Sequence, residues 1–190
     1  EMCIRDSYII KIHRFSNAFF FKVMYNYLDR FISTLNLKLR IKGKKERRCI
    51  MDYRRFENHY VIRLDRGEDI VTQLKELAKK EEIKLATLSG LGACGKVTAG
   101  VFETANKTYK SYTFDGDLEI VSLGGTITSM KGEVYTHFHI SISDENGNVY
   151  GGHLNEAIIS GTGELVLTVI DGMVEREFNE EIGLNLMKFR

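Results

Sequence analysis

Proline is absent from this chain of 190 residues, so no motif that depends on it can occur here. Cysteine is scarce: Cys3, Cys49 and Cys94 are odd in number, scattered, and contain no Cys-X-X-Cys. That excludes a disulfide framework and points to a reducing, cytoplasmic setting. Long apolar runs are missing as well. The most apolar stretch, Phe19 to Leu35, is interrupted by Lys22, Asp29 and Arg30, which excludes a spanning helix. The basic start, apolar middle and small-residue cleavage site of a secretory signal are also lacking.

What is present divides in two. The net charge of +1 conceals 12 Lys/Arg against 4 Asp/Glu in residues 1–50, a balance of +8. Residues 51–190 hold 15 against 22, a balance of −7. The first fifty residues read as one amphipathic helix followed by a basic run, Lys38 to Arg48. Such a helix can lie on a membrane surface. The stronger reading starts from Glu1-Met2-Cys3-Ile4-Arg5-Asp6-Ser7, which resembles a translated sequencing-adapter fragment. On that reading Met51 is the expected start, residues 1–50 are upstream read-through rather than a basic N-terminal extension, and residues 51–190 form the domain.

From Met51 the pattern is coherent. His59–Leu64 reads as a strand, and Arg66-Gly67-Glu68-Asp69 opens a helix. Acidic residues at its start and Lys79-Lys80 at its end suit the helix dipole. Ile70, Leu74, Leu77 and Ala78 form its buried face at helical spacing. Short glycine-separated strands follow: 85–88, 96–103, 108–114, 118–128, 134–143, 149–153, 156–160, 164–170 and 174–178. The expected fold is α+β, one helix packed on a largely antiparallel sheet.

Three of the five histidines fall within seventeen residues, as His137, His139 and His153. A His-X-His pair on a strand puts both imidazoles on one face, because side chains alternate with period two. The intervening loop decides whether His153 joins them. A two-residue Asn146-Gly147 turn sets His153 opposite Ile140, on the wrong face. A three-residue loop, Glu145-Asn146-Gly147 with Gly147 left-handed, sets it opposite His139, and this register is favoured. Gly151-Gly152 offers a bulge as a further way of aiming His153. Three neutral imidazoles with an open fourth position make a catalytic metal site rather than a closed structural one. Zinc is the first expectation; iron, nickel and copper also suit imidazole. Cys94, between glycines, reads as a small buried residue rather than a nucleophile.

Several runs carry a family resemblance: Arg63 to Ile70, Leu88-Ser89-Gly90-Leu91-Gly92, Leu118 to Gly125, the histidine segment, and Arg176 followed by Gly183-Leu184. Together they resemble the PPC domain, shared by plants and prokaryotes, in the family's order over nearly all of Met51–Phe189. Thr136 stands where the family usually has proline, and the histidines are intact. The resemblance implies a compact α+β fold, a homotrimer and, by the family's usual label, DNA as partner. Plant members carry an Arg-Gly-Arg-Pro hook, which a chain without proline lacks. A domain of −7, or 3 × −7 = −21 in a trimer, repels phosphate.

A more distant similarity links the PPC fold to acetolactate decarboxylases, whose zinc is held by a His-X-His pair and a later histidine. It implies that His137, His139 and His153 are metal ligands and that the substrate is a small anion in a lyase or hydrolase reaction. Glu119 would then move protons, and Arg63 or Arg176 would hold the anion. The third reading is a trimeric scaffold module with a structural metal.

Overall fold

The structure is a computed structural model that describes residues 51–189. The amphipathic helix and basic run expected within residues 1–50 lie outside the described residues.

Eight strands and one helix follow in chain order: β1 (Asp52–Phe56), β2 (His59–Leu64), α1 (Ile70–Lys80), β3 (Ala86–Glu103), β4 (Thr108–Met130), β5 (Glu133–Ser143), β6 (Val149–Val169), β7 (Glu175–Asn179) and β8 (Leu184–Lys188). Pairing runs in the order β1-β2-β6-β3-β4-β7-β8, and β5 bridges β4 and β6. Strands β3, β4, β5 and β6 therefore close a ring of ladders, all antiparallel. The one parallel contact joins β4 to β7 at Ser129 and Glu175.

Among the described residues the fold is mainly β with a single helix, which corrects the expected α+β balance. The correction comes from glycine. Segments 85–88 and 96–103 were expected as separate strands, yet they form the continuous eighteen-residue β3. Its ladder slips at Gly90/Gly92 and Cys94/Lys96, so the glycines bend the strand without ending it. In the same way 108–114 and 118–128 fuse into β4, and 149–153, 156–160 and 164–170 fuse into β6. The expected strand 174–178 is displaced by one residue. β1 and β8, short edge strands with mostly exposed or half-buried side chains, carry no pattern that marked them.

The helix opens one residue later than its acidic residues suggested. Asp69 is the N-cap, and Glu68 lies buried before it, accepting a bond from Asp65 N at 2.7 Å. One Asp69 oxygen accepts from Thr72 N (2.9 Å) and Thr72 Oγ1 (2.6 Å), which satisfies donors that a helix start leaves open. The other accepts from Ala157 N on β6 at 2.9 Å, tying the helix start to the sheet. Asp69→Ala removes the cap and leaves the Ala157 N–H unpaired. The expected loss is about 2–3 kcal/mol, read as a lower urea midpoint at unchanged slope. A loss under about 0.5 kcal/mol would mean the β6 bond is not formed in solution.

Ile70, Leu74, Leu77 and Ala78 are buried at the spacing expected. They join Ile62 and Leu64 of β2, Ile140 and Ile142 of β5, and Leu165 and Leu167 of β6 in one core. Core residues alternate along β2 and β5, so every second side chain of those strands faces away from it. That alternation places the histidines.

Candidate metal centre

In β5 the core residues Phe138, Ile140 and Ile142 point inward, which turns His137 and His139 to the opposite face. The β5–β6 hairpin then supplies the third histidine. Gly147 N donates to Asp144 O (3.0 Å) and Asp144 N to Asn148 O (3.1 Å), around the three-residue loop Glu145-Asn146-Gly147. Gly147 has φ +77°, the left-handed angle this loop demands. Asp144 Oδ1 accepts from both Asn146 N and Asn148 N at 2.9 Å and fixes the turn. The resulting register sets His153 directly opposite His139. No bulge is needed at Gly151-Gly152, since the β5 ladder runs through it without a slip.

Those glycines serve close approach instead. His153 pairs with His139 on one side and with Gly100 of β3 on the other. A Cβ on Gly152 would lie 2.5 Å from Gly100 O, and one on Gly151 would collide with Ile140 O. Only glycine lets β6 fit between its two neighbours here.

The three imidazoles gather closely. Ring centroids lie 5.2 Å apart for His137–His139, 5.1 Å for His137–His153 and 5.6 Å for His139–His153. Each offers a ring nitrogen within 4.8 Å of the others. Burial, then the neighbouring His153, Arg176 and His139, pushes His137 down to about 4. Burial, followed by His139 and Arg176, also lowers His153. At neutral pH both keep uncharged rings, the form that ligates a metal.

Arg176 reaches the same place from β7. It is 7% exposed. Its Nε donates to Thr128 Oγ1 (2.9 Å), one terminal nitrogen donates to Asn185 O (2.9 Å), and the other lies 3.4 Å from His137 Nδ1. The guanidinium sits 4.8 Å from the Tyr135 ring centroid. Burial lowers its pKa, yet a guanidinium stays charged in proteins. Tyr109 donates to Asn155 Oδ1 at 2.7 Å and sets its ring edge-on to His153. These residues line a cavity of about 820 Å³, closed on one side by β8.

Of the residues proposed from sequence, the structure brings together His137, His139, His153 and Arg176. It does not bring Arg63 or Glu119 to them. Arg63 is exposed on β2, 3.5 Å from Asp52 and 3.1 Å from Asp65, and lines a different hollow with Val61, Leu91 and Val166. Glu119 is exposed on β4 opposite Ser143, at the other end of the ladder from Thr126 and His137. Cys94 is buried, and burial pushes its thiol up to about 12, so it stays protonated at neutral pH. Tyr109, Asn155 and the β8 wall were not foreseen, because only tertiary contact brings them to the site.

The fold and the site define a mainly-β domain whose four long strands close a ring, with a three-histidine cavity on one face. Residues 51–171 match the Plants and Prokaryotes Conserved (PCC) domain, and the chain belongs to that family. Among solved structures it is similar to a protein of Bacteroides thetaiotaomicron provisionally named as DNA-binding. That pair is 32% identical with a TM-score of 0.72, covering 74% of this chain and 98% of the other. It is also similar to a metal-containing protein of Archaeoglobus fulgidus, at 29% identity and a TM-score of 0.65, over 74% of this chain and 99% of that one. Among curated proteins it is 28% identical over 109 residues to the bifunctional protein GlmU of Synechococcus sp. strain JA-3-3Ab. This chain spans only 16% of that protein's length, and 57% of the chain is matched. The expected likeness to acetolactate decarboxylase, at 17% identity and a TM-score of 0.44 with the Bacillus subtilis enzyme, is too distant to carry chemistry across. Among the described residues, no helix is long and apolar enough to cross a membrane.

Proposed function

We propose that this protein holds a divalent transition metal, zinc first, on His137, His139 and His153, and uses it on a small anionic substrate in a lyase or hydrolase reaction. The observation that carries the proposal is three imidazole nitrogens within 4.8 Å of one another in a cavity that also holds a buried arginine. The donor set fits the metal: two of the rings are held neutral, and three protein ligands leave a position free for substrate or water. When bound, such a metal polarises a carbonyl or carboxylate oxygen or makes its bound water more acidic. The protein's own part is orientation. Tyr109 packs its edge on His153, the Phe138 side chain anchors β5 between the two histidines, and Arg176 offers a fixed cation to the anionic group. The metal-containing relative supports this reading.

A homotrimer goes with the proposal, and the exposed Val61, Leu91 and Val166 on one sheet face supply an apolar surface for it. A second reading, DNA binding, is favoured by the name of the Bacteroides relative. Against it stands the −7 balance of residues 51–190, which leaves the basic Lys38–Arg48 run as the phosphate contact.

The test is elemental analysis of the full-length chain purified without affinity-tag histidines. The expected result is about one divalent metal per chain. A folded, metal-free protein that takes up no added zinc would sink the proposal and leave a steeply salt-dependent DNA interaction as the reading to pursue.

A further inference from the structure

The cavity carries one full charge. Among its lining residues there is no aspartate or glutamate and no lysine; Arg176 stands alone. A buried guanidinium with no carboxylate partner is costly unless an anion completes it. A guanidinium has five N–H bonds. Two are donated to Thr128 and Asn185, and the second terminal nitrogen lies 3.4 Å from His137 Nδ1, which leaves at least two N–H bonds unclaimed. The same three contacts, with Tyr135 beneath, hold the fork in one orientation.

The anion that such a site fits is a carboxylate rather than a phosphate. Phosphate sites draw on several cations, a helix N-terminus or a cradle of backbone N–H groups. Without a metal, Arg176 is the one fixed cation among the lining side chains, no helix residue lines the cavity, and the start of α1 is already occupied by the Asp69 carboxylate. The comparison that decides is therefore the one on the metal-free chain. Much of the rest of the wall is apolar, Val101 and Phe102 of β3 with Leu184, Leu186 and Met187 of β8, beside the uncharged Tyr109, Tyr135, Asn155 and Asn185. A volume of about 820 Å³ far exceeds what a carboxylate group alone fills.

We infer that the ligand of this cavity is a monocarboxylate with an apolar body, its carboxylate on the two free Arg176 N–H groups and its body against Phe102 and Met187. The inference rests on the anionic-substrate reading above and narrows it. Met187 is the cross-strand partner of Arg176, so the two side chains leave the β7–β8 hairpin on one face. Head and body of the ligand are then read by adjacent residues.

The experiment is calorimetric titration of the full-length chain, zinc-loaded and metal-free, with 4-phenylbutyrate, acetate, 4-phenylbutyramide and phenyl phosphate. The expected order places 4-phenylbutyrate about 100-fold tighter than acetate. It also places the acid at least about 10-fold tighter than its neutral amide and tighter than phenyl phosphate. Arg176→Gln is expected to remove the preference for acid over amide. If that variant does not fold, the four probes on the unaltered protein decide alone. Acetate matching 4-phenylbutyrate, the amide matching the acid, or phenyl phosphate binding tightest would each overturn the inference. Zinc uptake separates the two proposals: a folded chain that takes up no added zinc yet shows the expected probe order refutes the metal centre and upholds the carboxylate site.

Discussion

Gly152→Ala is expected to cost the domain about 3 kcal/mol or more, or to leave it unfolded. The added methyl would meet the Gly100 carbonyl oxygen at 2.5 Å, with Gly100 C and N at 3.2 and 3.3 Å. These are backbone atoms of β3 and cannot rotate away as a side chain does. Nor can the strand retreat, since Gly100 is itself paired with Ser111 of β4 and His153 of β6. Relief requires parting β3 from β6 at the point where His153 is placed. Gly161→Ala is the control: its methyl would touch only Ala93 Cβ, at an ordinary 3.5 Å, and the change is expected to stay within about 1 kcal/mol. Chemical denaturation of the two variants decides. Equal midpoints would mean that β6 does not run between β3 and β5 as described, and the register that brings His153 to His139 would fall with it.

The second large effect separates binding from folding. His139 is exposed, so truncating it removes almost no packing. His139→Ala is expected to leave the stability of the metal-free protein within about 0.5 kcal/mol of the parent. Metal affinity, by contrast, is expected to fall by more than about 100-fold, because a direct ligand weighs at least as much as the partners that orient one. Thermal melts with and without zinc give the readout. At free zinc about 100 times its Kd, the parent gains about 2.7 kcal/mol and the variant almost nothing. His139 serves better here than His137, whose ring is half-buried and lies against Arg176. A variant that still gains the full stabilisation would show that the metal is held elsewhere.

The placement of the histidines followed from the sequence because it depends on local rules. Alternation fixes His137 and His139 on one face, and the three-residue Glu145-Asn146-Gly147 loop fixes the register that adds His153. The helix was equally plain, since its apolar positions repeat at helical spacing and its cap is a single aspartate. The strand lengths were misread because a glycine that bends a strand looks the same in sequence as one that ends it. Gly92 and Gly95 lie inside β3, and Gly161 and Gly163 inside β6, at places where two ladders meet. Arg176 was picked out through a family resemblance, and the fold delivers it by way of a single parallel bridge, Ser129 to Glu175, that no local pattern announces. The same resemblance put Arg63 beside it as an equal candidate. Alternation along β2 turns Arg63 outward, to a hollow lined by Leu91 and Val166. Glu119 lies apart from the histidines for a related reason: the buried Leu118 and Ile120 on either side turn it to solvent at the far end of its ladder.

The matched PCC span ends at position 171, and all three histidines fall within it. Arg176 and the β8 wall come after it, on a hairpin joined to the ring of strands by one bridge, the arginine's own hydrogen bonds and the Ser129–Val174, Tyr135–Asn185 and Lys107–Glu180 bonds. The histidines themselves sit in the ladders of β3, β4, β5 and β6, so altering side chains of the hairpin leaves those ladders paired. Substitutions confined to the last twenty residues are therefore the ones expected to change what the cavity accepts while the histidine cluster keeps its place.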